Sequence, residues 1–567
     1  MNANIISLKR KLRSPALNVS VFAVALLPWI SQSAPFTNGM VTSVHSIATD
    51  AGVRVLQQGG NAVDATVAVA LTLGVVDGEN SGIGGGCFML IRRPNGEVIA
   101  IDGRETAPVG ASRDMFVRNG KALGQLSQTG ALASGVPGCL AAYDFALTHY
   151  GRKRLKELIL PAADIAEKGF VLSSGYASTL AEVAGEMMRF DSSRAIFFRN
   201  REPLRAGALL KQQDLAATYR RIADQGIGWF YRGPFARTAA TWMKQNGGLL
   251  TERDFNDYQI KLREPLISTY RGYKIVGFPP PSSGGVHVAQ ILNVLENFDL
   301  ASLEEAARLH LLAEAMKLAF ADRAFWLGDS DFVQVPRGLA AKEYARSLAQ
   351  KINLDHATAV ASHGMPSDWL TNSFRKHTTH FSAADSEGNW VACTATVNTS
   401  FGSKVVIPGT GVVMNNQMDD FSIQPGVTNF FGLIGAEANA IAPGKRPLSS
   451  MSPTIVLANE KPILSLGAAG GPKIITQVVC ELCELLDLHM TLEQALKQPR
   501  IHHQWFPDRL MIEPSLPAHL QQELRRRGHI LEIIPSMGVS QILQRAPGAE
   551  SFAGGADPRA GGTARGW

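Results

Sequence analysis

The sequence predicts a mixed α+β fold, and three features carry that reading. Apolar residues recur at helical spacing over residues 46–76. A glycine-rich turn, SGIGGGCFMLIRR (81–93), runs into a buried, strand-like segment. From about residue 376 the chain changes into short alternating segments separated by turn clusters. The composition agrees: 567 residues, 45% hydrophobic and 18% charged, with a mean hydropathy of +0.01. That balance is globular and excludes a disordered tail, a collagen or a coiled coil. At about 100–200 residues per domain the length suggests roughly three domains, although large α/β and sandwich enzymes exceed that range.

In chain order, the first segment reads as an address. Lys9, Arg10, Lys11 and Arg13 precede an apolar run over 16–30, and Ser31 and Ser33 follow at the −3 and −1 positions of a small-residue cleavage site. Charge, apolar run and small residues in that order mark a secretory signal peptide over 1–33. An uncleaved anchor is the alternative, but the run is shorter than the ~20 residues a spanning helix needs. The expected product is exported, periplasmic or secreted, with no membrane attachment after leader removal. Those four cations also account for most of the net charge of +6, leaving +2 on the remainder. A nearly neutral body offers no electrostatic footprint for nucleic acid.

The helical pattern over 46–76 breaks at Gly59–Gly60 and restarts at Asn61, a residue type preferred at the N-cap. The glycines of 81–93 open a strand and not a helix, so they are not a nucleotide fingerprint. Arg104, in IDGRETAP, falls at the end of the next expected strand. Ser302 and Glu305 have the spacing of a capping box for a long amphipathic helix reaching about Phe325. Residues 344–376 are polar and irregular and read as a surface linker. The five cysteines are too sparse for a disulfide framework, and Cys480 and Cys483 sit in an apolar run as buried small hydrophobes. No His, Cys and acid set has the spacing of a metal site, and no metal or organic cofactor is expected.

The densest stretch is KHTTHFSAADSEGNWVACTATVNTSFG (376–402). A symmetric hairpin turning at Glu387 places Ala384 opposite Trp390, Ser382 opposite Ala392 and Thr378 opposite Thr396. Opposed side chains share a face about 5 Å apart, so Thr378, Thr394, Thr396 and Asn398 form a hydroxyl- and amide-rich row. The same threonines also suit a plain two-sided sheet by β propensity. Further on, AAGGPKIITQVV (468–479) sets Gly470 and Gly471 before a helix start at Pro472, where free N–H groups suit an oxyanion. QMDDF (417–421) supplies loop acids and PLSSMSP (447–453) paired serines.

TTHFS, TVNTSFG, NNQMDDFS, KRPLSSMSPT and GAAGGPKIIT, in this order and spacing, resemble the γ-glutamyltranspeptidase family. IDGRETAP, GVPG (135–138), PPPSSGG (279–285), RIHHQW and DPRAGG extend the resemblance over nearly all of the chain after the leader. It implies the N-terminal-nucleophile hydrolase fold, a four-layer αββα sandwich. It also implies self-cleavage between His377 and Thr378 into a large subunit (34–377) and a small catalytic subunit (378–567) that pair as a heterodimer in one αββα domain. Thr378 would then be the nucleophile. A threonine hydroxyl needs an adjacent base, and a new α-amino group with a pKa near 8 supplies one on the same residue.

By the same resemblance Thr396 supports the nucleophile, while Gly470 and Gly471 form the oxyanion hole. Arg104, Ser449 and Ser450 bind the substrate α-carboxylate, and Asp420, with Asn398 and Gln417, binds its α-ammonium. The implied reaction takes the γ-glutamyl group from glutathione or related amides through a threonine ester and passes it to water, an amino acid or a dipeptide. Residues 424–440 match a lid over the pocket, with Phe431 where many members carry tyrosine. Two other readings remain: a glutaryl or cephalosporin acylase, disfavoured by an acid at position 420, and an exported amino-acid-binding protein that never cuts.

Overall fold

Two facing antiparallel sheets carry the architecture, and each is clad in helices on its outer side. The computed structural model describes residues 36–366, 380–546 and 548–567. The first sheet has seven strands, in the spatial order Lys261–Arg263, Val98–Gly103, Gly86–Arg92, Trp390–Thr396, Phe381–Asp385, Gly39–Ser43 and Thr563–Gly566. The second has six: Leu266–Tyr270, Tyr273–Gly277, Thr454–Ala458, Lys461–Ala469, Val539–Gln544 and Ala553–Ala556. Helices Ser46–Gln57, Ala62–Val76 and Cys139–Tyr150 pack on the first sheet, and Ser283–Leu295 and Lys473–Leu486 on the second. This is the expected four-layer αββα sandwich of the N-terminal-nucleophile hydrolase type.

The layers follow from the side-chain alternation of the strands. In the central hairpin Phe381, Ala383, Val391 and Cys393 join the core beneath the helices of the first layer. Their alternates Ala384, Trp390 and Ala392 enter the seam between the sheets, where they meet Val276, Phe278, Ile455 and Leu543. Trp390, 1% exposed, is the largest side chain of that seam. Both layers are therefore built from residues on either side of position 378.

Several sequence expectations hold in detail. The helix break at Gly59–Gly60 is present, and Asn61 starts Ala62–Val76 with a full capping box, its side chain accepting from the Val63 and Asp64 amides while Asp64 returns a bond to the Asn61 amide. The hairpin register is the expected one, with Ser382 opposite Ala392 and Ala384 opposite Trp390. All five cysteines are free; Cys483 is buried as expected, whereas Cys480 is only partly buried.

Three expectations are corrected. Ser302 and Glu305 do not form a capping box: the helix Glu305–Trp326 starts without a side-chain cap, and the Ser302 hydroxyl donates to the Asp299 carbonyl. That helix is not amphipathic either, because every residue from His310 to Arg323 is buried. The irregular stretch begins later than 344, since Lys342–Ala349 is a helix that buries Tyr344, Ala345 and Leu348.

Candidate active site

The glycine run of 84–86 explains how the strand end at Thr396 is held. Trp390–Thr396 pairs with Gly86–Arg92, placing Thr396 opposite Gly86. A β-carbon on Gly85 would sit 1.9 Å from the Thr396 carbonyl oxygen, and one on Gly84 would sit 2.0 Å from the Val413 carbonyl. Backbone atoms cannot yield to such contacts, so only glycine allows the two segments to lie this close. Thr396 then ends its strand by accepting the Asn398 amide on its hydroxyl at 2.8 Å. Asn398 adopts the left-handed conformation, φ 83°, and its side-chain amide donates to the Asn416 carbonyl at 3.0 Å.

That geometry opens a cavity of about 260 Å³. Thr396, Asn398, Gln417, Asp420, Phe431, Ser449, Ser450, Gly470 and Gly471 all line it, drawing together residues far apart in sequence. Gly470 and Gly471 have positive φ, 138° and 61°, at the end of Lys461–Ala469 and just before Lys473–Leu486. Neither amide donates to another described residue, so both remain available at the helix start. His377 and Thr378 lie outside the described residues.

Asp420 sits at the end of the short helical turn Gln417–Asp420. Arg104 Nη2 reaches Asp420 Oδ2 at 2.5 Å, and Gln417 Nε2 donates to the same oxygen at 3.1 Å. Burial pushes the Asp420 carboxyl up to about 6, while Arg104 opposes the shift. Arg104 itself is fully buried and stands behind Asp420, not among the residues facing the cavity. Its other neighbour is Glu105, at 3.5 Å, whose carboxyl burial raises to about 8. Asp419 points away: it accepts from the Ser127 hydroxyl at 2.6 Å and from the Phe430 amide at 2.9 Å, tying the lid segment to the body.

Sequence reasoning missed three participants. Arg323, inside the long buried helix, lines the cavity and donates to Ser450 Oγ at 3.1 Å. Helical periodicity marks it only as a buried position, so nothing local distinguishes it. His380 lies between the sheets with its Nε2 2.7 Å from Ser382 Oγ, which is itself 2.7 Å from Ser465 Oγ. Burial lowers the His380 pKa to about 3, so the ring is neutral. Gln504, from RIHHQW, donates at 3.2 Å to the carbonyls of both Phe431 and Gly432. Its amide oxygen is 3.0 Å from His502 Nε2, which orients it. The Phe431 ring lies against Gly471, where a β-carbon would come within 2.7 Å of it.

Among the described residues one buried trio has metal-ligand character, His310, Glu314 and His529. Its chemistry favours hydrogen bonding. The two imidazoles are 2.7 Å apart and the Lys317 ammonium is 2.9 Å from Glu314, a cation where a metal would need an open carboxylate.

Comparisons with known proteins find transpeptidase, hydrolase and acylase relatives. The model of the family described as gamma-glutamyltranspeptidase matches residues 48–567. The glutathione hydrolase proenzyme of Escherichia coli strain K12 is 43% identical over 528 residues, covering 92% of this chain and 90% of that protein. The crystal structure of cephalosporin acylase from Bacillus halodurans superposes with a TM-score of 0.84 at 28% identity, over 97% of this chain and 99% of that one. A chain of Helicobacter pylori gamma-glutamyltranspeptidase is 43% identical with a TM-score of 0.55, over 56% of this chain and 92% of its own.

Proposed function

The chain belongs to the γ-glutamyltranspeptidase family, and from that premise we propose how its residues divide the work. It is a self-processing γ-glutamyltransferase and glutathione hydrolase, acting on glutathione and related γ-glutamyl amides. The observation that carries the residue roles is the single cavity lined by Thr396, Asn398, Gln417, Asp420, Ser449, Ser450, Gly470 and Gly471. A zwitterionic γ-glutamyl group needs opposite charges at one end and oxyanion donors at the other, because an unmatched buried charge is costly.

In this reading the precursor breaks the His377–Thr378 bond, giving fragments 34–377 and 378–567 that stay together. The new α-amine of Thr378 accepts the proton of its own hydroxyl as that oxygen attacks the γ-carbonyl. The tetrahedral oxyanion takes the amides of Gly470 and Gly471. Collapse expels the amine of the donor, which leaves with the proton, and a γ-glutamyl ester remains. Water then yields glutamate, or an amino acid or dipeptide amine yields a new γ-glutamyl amide. Thr396 steadies the nucleophile. Asp420, Asn398 and Gln417 receive the α-ammonium, and Ser449 and Ser450, with Arg104 behind Asp420, serve the α-carboxylate end. The leader over 1–33 directs export to the periplasm or beyond. Among the described residues no helix is long and apolar enough to cross a membrane.

The test compares anilides of γ-glutamate and of glutarate, which lacks the ammonium. The glutamyl substrate is expected to turn over faster by at least ~10-fold, the worth of one hydrogen bond to a charged group. Equal or reversed rates would favour the acylase reading.

A further inference from the structure

Two guanidinium groups serve the cavity, and they are not equivalent. Arg104 is ion-paired to Asp420 at 2.5 Å. Arg323, 5% exposed and on the cavity wall, meets no carboxylate within ion-pair distance among the described residues. Its hydrogen bonds go to two hydroxyls: Nε donates to Ser283 Oγ at 2.9 Å and Nη2 to Ser450 Oγ at 3.1 Å. Ser283 passes its own proton to the Ser449 carbonyl at 2.6 Å, which fixes that serine as an acceptor for the arginine. Ser450 differs. Its oxygen is occupied by Arg323, and no described residue takes its proton. A hydroxyl whose oxygen already accepts from a cation is biased to donate, and on the cavity wall its proton is available to an incoming acceptor.

From this we infer that Arg323 is the positioning residue of the carboxylate site: it turns Ser450 into a dedicated donor and supplies the positive charge that a substrate α-carboxylate neutralises. The inference rests on the γ-glutamyl reading above and adds the group that sets its selectivity at the carboxylate end. A buried cation whose charge is offset only at a distance, by Asp420, is poorly compensated in the empty pocket, so occupation by a carboxylate removes a cost that a neutral group would leave in place. Arg323 with Ser450 thus joins Ser449 and Arg104 at the carboxylate end, while Asp420 with Gln417 reads the ammonium.

Three p-nitroanilides separate the pairs. The γ-glutamyl compound carries both charges, the glutaryl compound only the carboxylate, and the 4-aminobutyryl compound only the ammonium. For Arg323→Gln, KM for the γ-glutamyl and glutaryl substrates is expected to rise about 10–100-fold, the range for hydrogen bonds to a charged partner, with little change in kcat. The 4-aminobutyryl substrate should be unaffected, and Arg323→Lys should recover part of the loss by restoring the charge. Should Arg323→Gln fail to mature into two fragments, Ser450→Ala carries the same test, with the same carboxylate-selective rise in KM. An equal loss on all three substrates, or none on any, would overturn the inference. Failure of the underlying reading shows separately, in the unaltered enzyme, as an absence of γ-glutamyl cleavage, and that result would overturn the inference too.

Discussion

Asp420 shows how a single side chain can be both held and poised. Burial raises its carboxyl to about 6 while the Arg104 pair limits the rise. An ionised Asp420 is what attracts an ammonium, so binding is present above about pH 6 and lost as pH falls through it. In the proposed mechanism the Thr378 α-amine, whose ordinary pKa is near 8, must also be neutral to act as a base. Below about pH 6 both protonations therefore oppose turnover, and log kcat/KM should fall with a slope near two. Asp420→Asn is expected to lower kcat/KM on γ-glutamyl substrates by about 10–100-fold, to reduce that slope to one, and to leave self-cleavage intact. A pH–rate profile checks the slope; an unchanged slope of two would remove Asp420 from ammonium binding. At this scale the family motifs in the sequence identified most of the cavity wall. Arg323, His380 and Gln504 stayed illegible because each acts across the fold: the first looks like any buried helical position, the second like an alternate strand residue, and the third like a loop polar group.

Among the elements, the hairpin and its glycine neighbour carry the site. Its register was legible because DSEGN closes a short symmetric turn, and turn length sets strand pairing. The close approach of the 84–86 backbone to Thr396 was not, since it depends on a residue about 310 positions away. Gly85→Ala would force a β-carbon against the Thr396 carbonyl. It should destabilise the protein by about 1–3 kcal/mol, read as a lowered Tm, and slow self-cleavage; an unaltered Tm would mean the strand end moves freely. The capping box at Ser302 failed for a local reason: the Ser302 hydroxyl is satisfied by Asp299 in the preceding turn, which competes with capping. The segment expected to act as a lid is fastened through its Phe431 and Gly432 carbonyls, so Phe431 needs no phenol for this latch. Gln504→Leu keeps the bulk but removes the donors to Phe431 and Gly432. With about 1 kcal/mol lost per bond, limited proteolysis within 424–440 should quicken roughly 5–30-fold. Unchanged nicking would show that the latch lies elsewhere.

For the whole molecule, α+β layering could be read from periodicity, but the strand order could not, because the first sheet interleaves segments from opposite ends of the chain and the second joins strands nearly 200 residues apart. The first sheet sets Thr563–Gly566 beside Gly39–Ser43, and Phe381–Asp385 beside that same strand on its other edge. This interleaving has a consequence for the two fragments. Each sheet joins strands from both sides of position 378, so scission leaves the cores shared, and the fragments should co-elute from gel filtration and separate only on denaturation. Separation in native buffer would contradict that. Behind all of this stands one event, the making of a nucleophile and its base by a single backbone cut. N-terminal sequencing of the smaller fragment from active enzyme tests it most directly. The expected sequence begins at Thr378, Thr-Thr-His-Phe, and Thr378→Ala should remain one inactive chain. A fully active protein with the 377–378 bond intact, or a fragment starting at another residue, would contradict it.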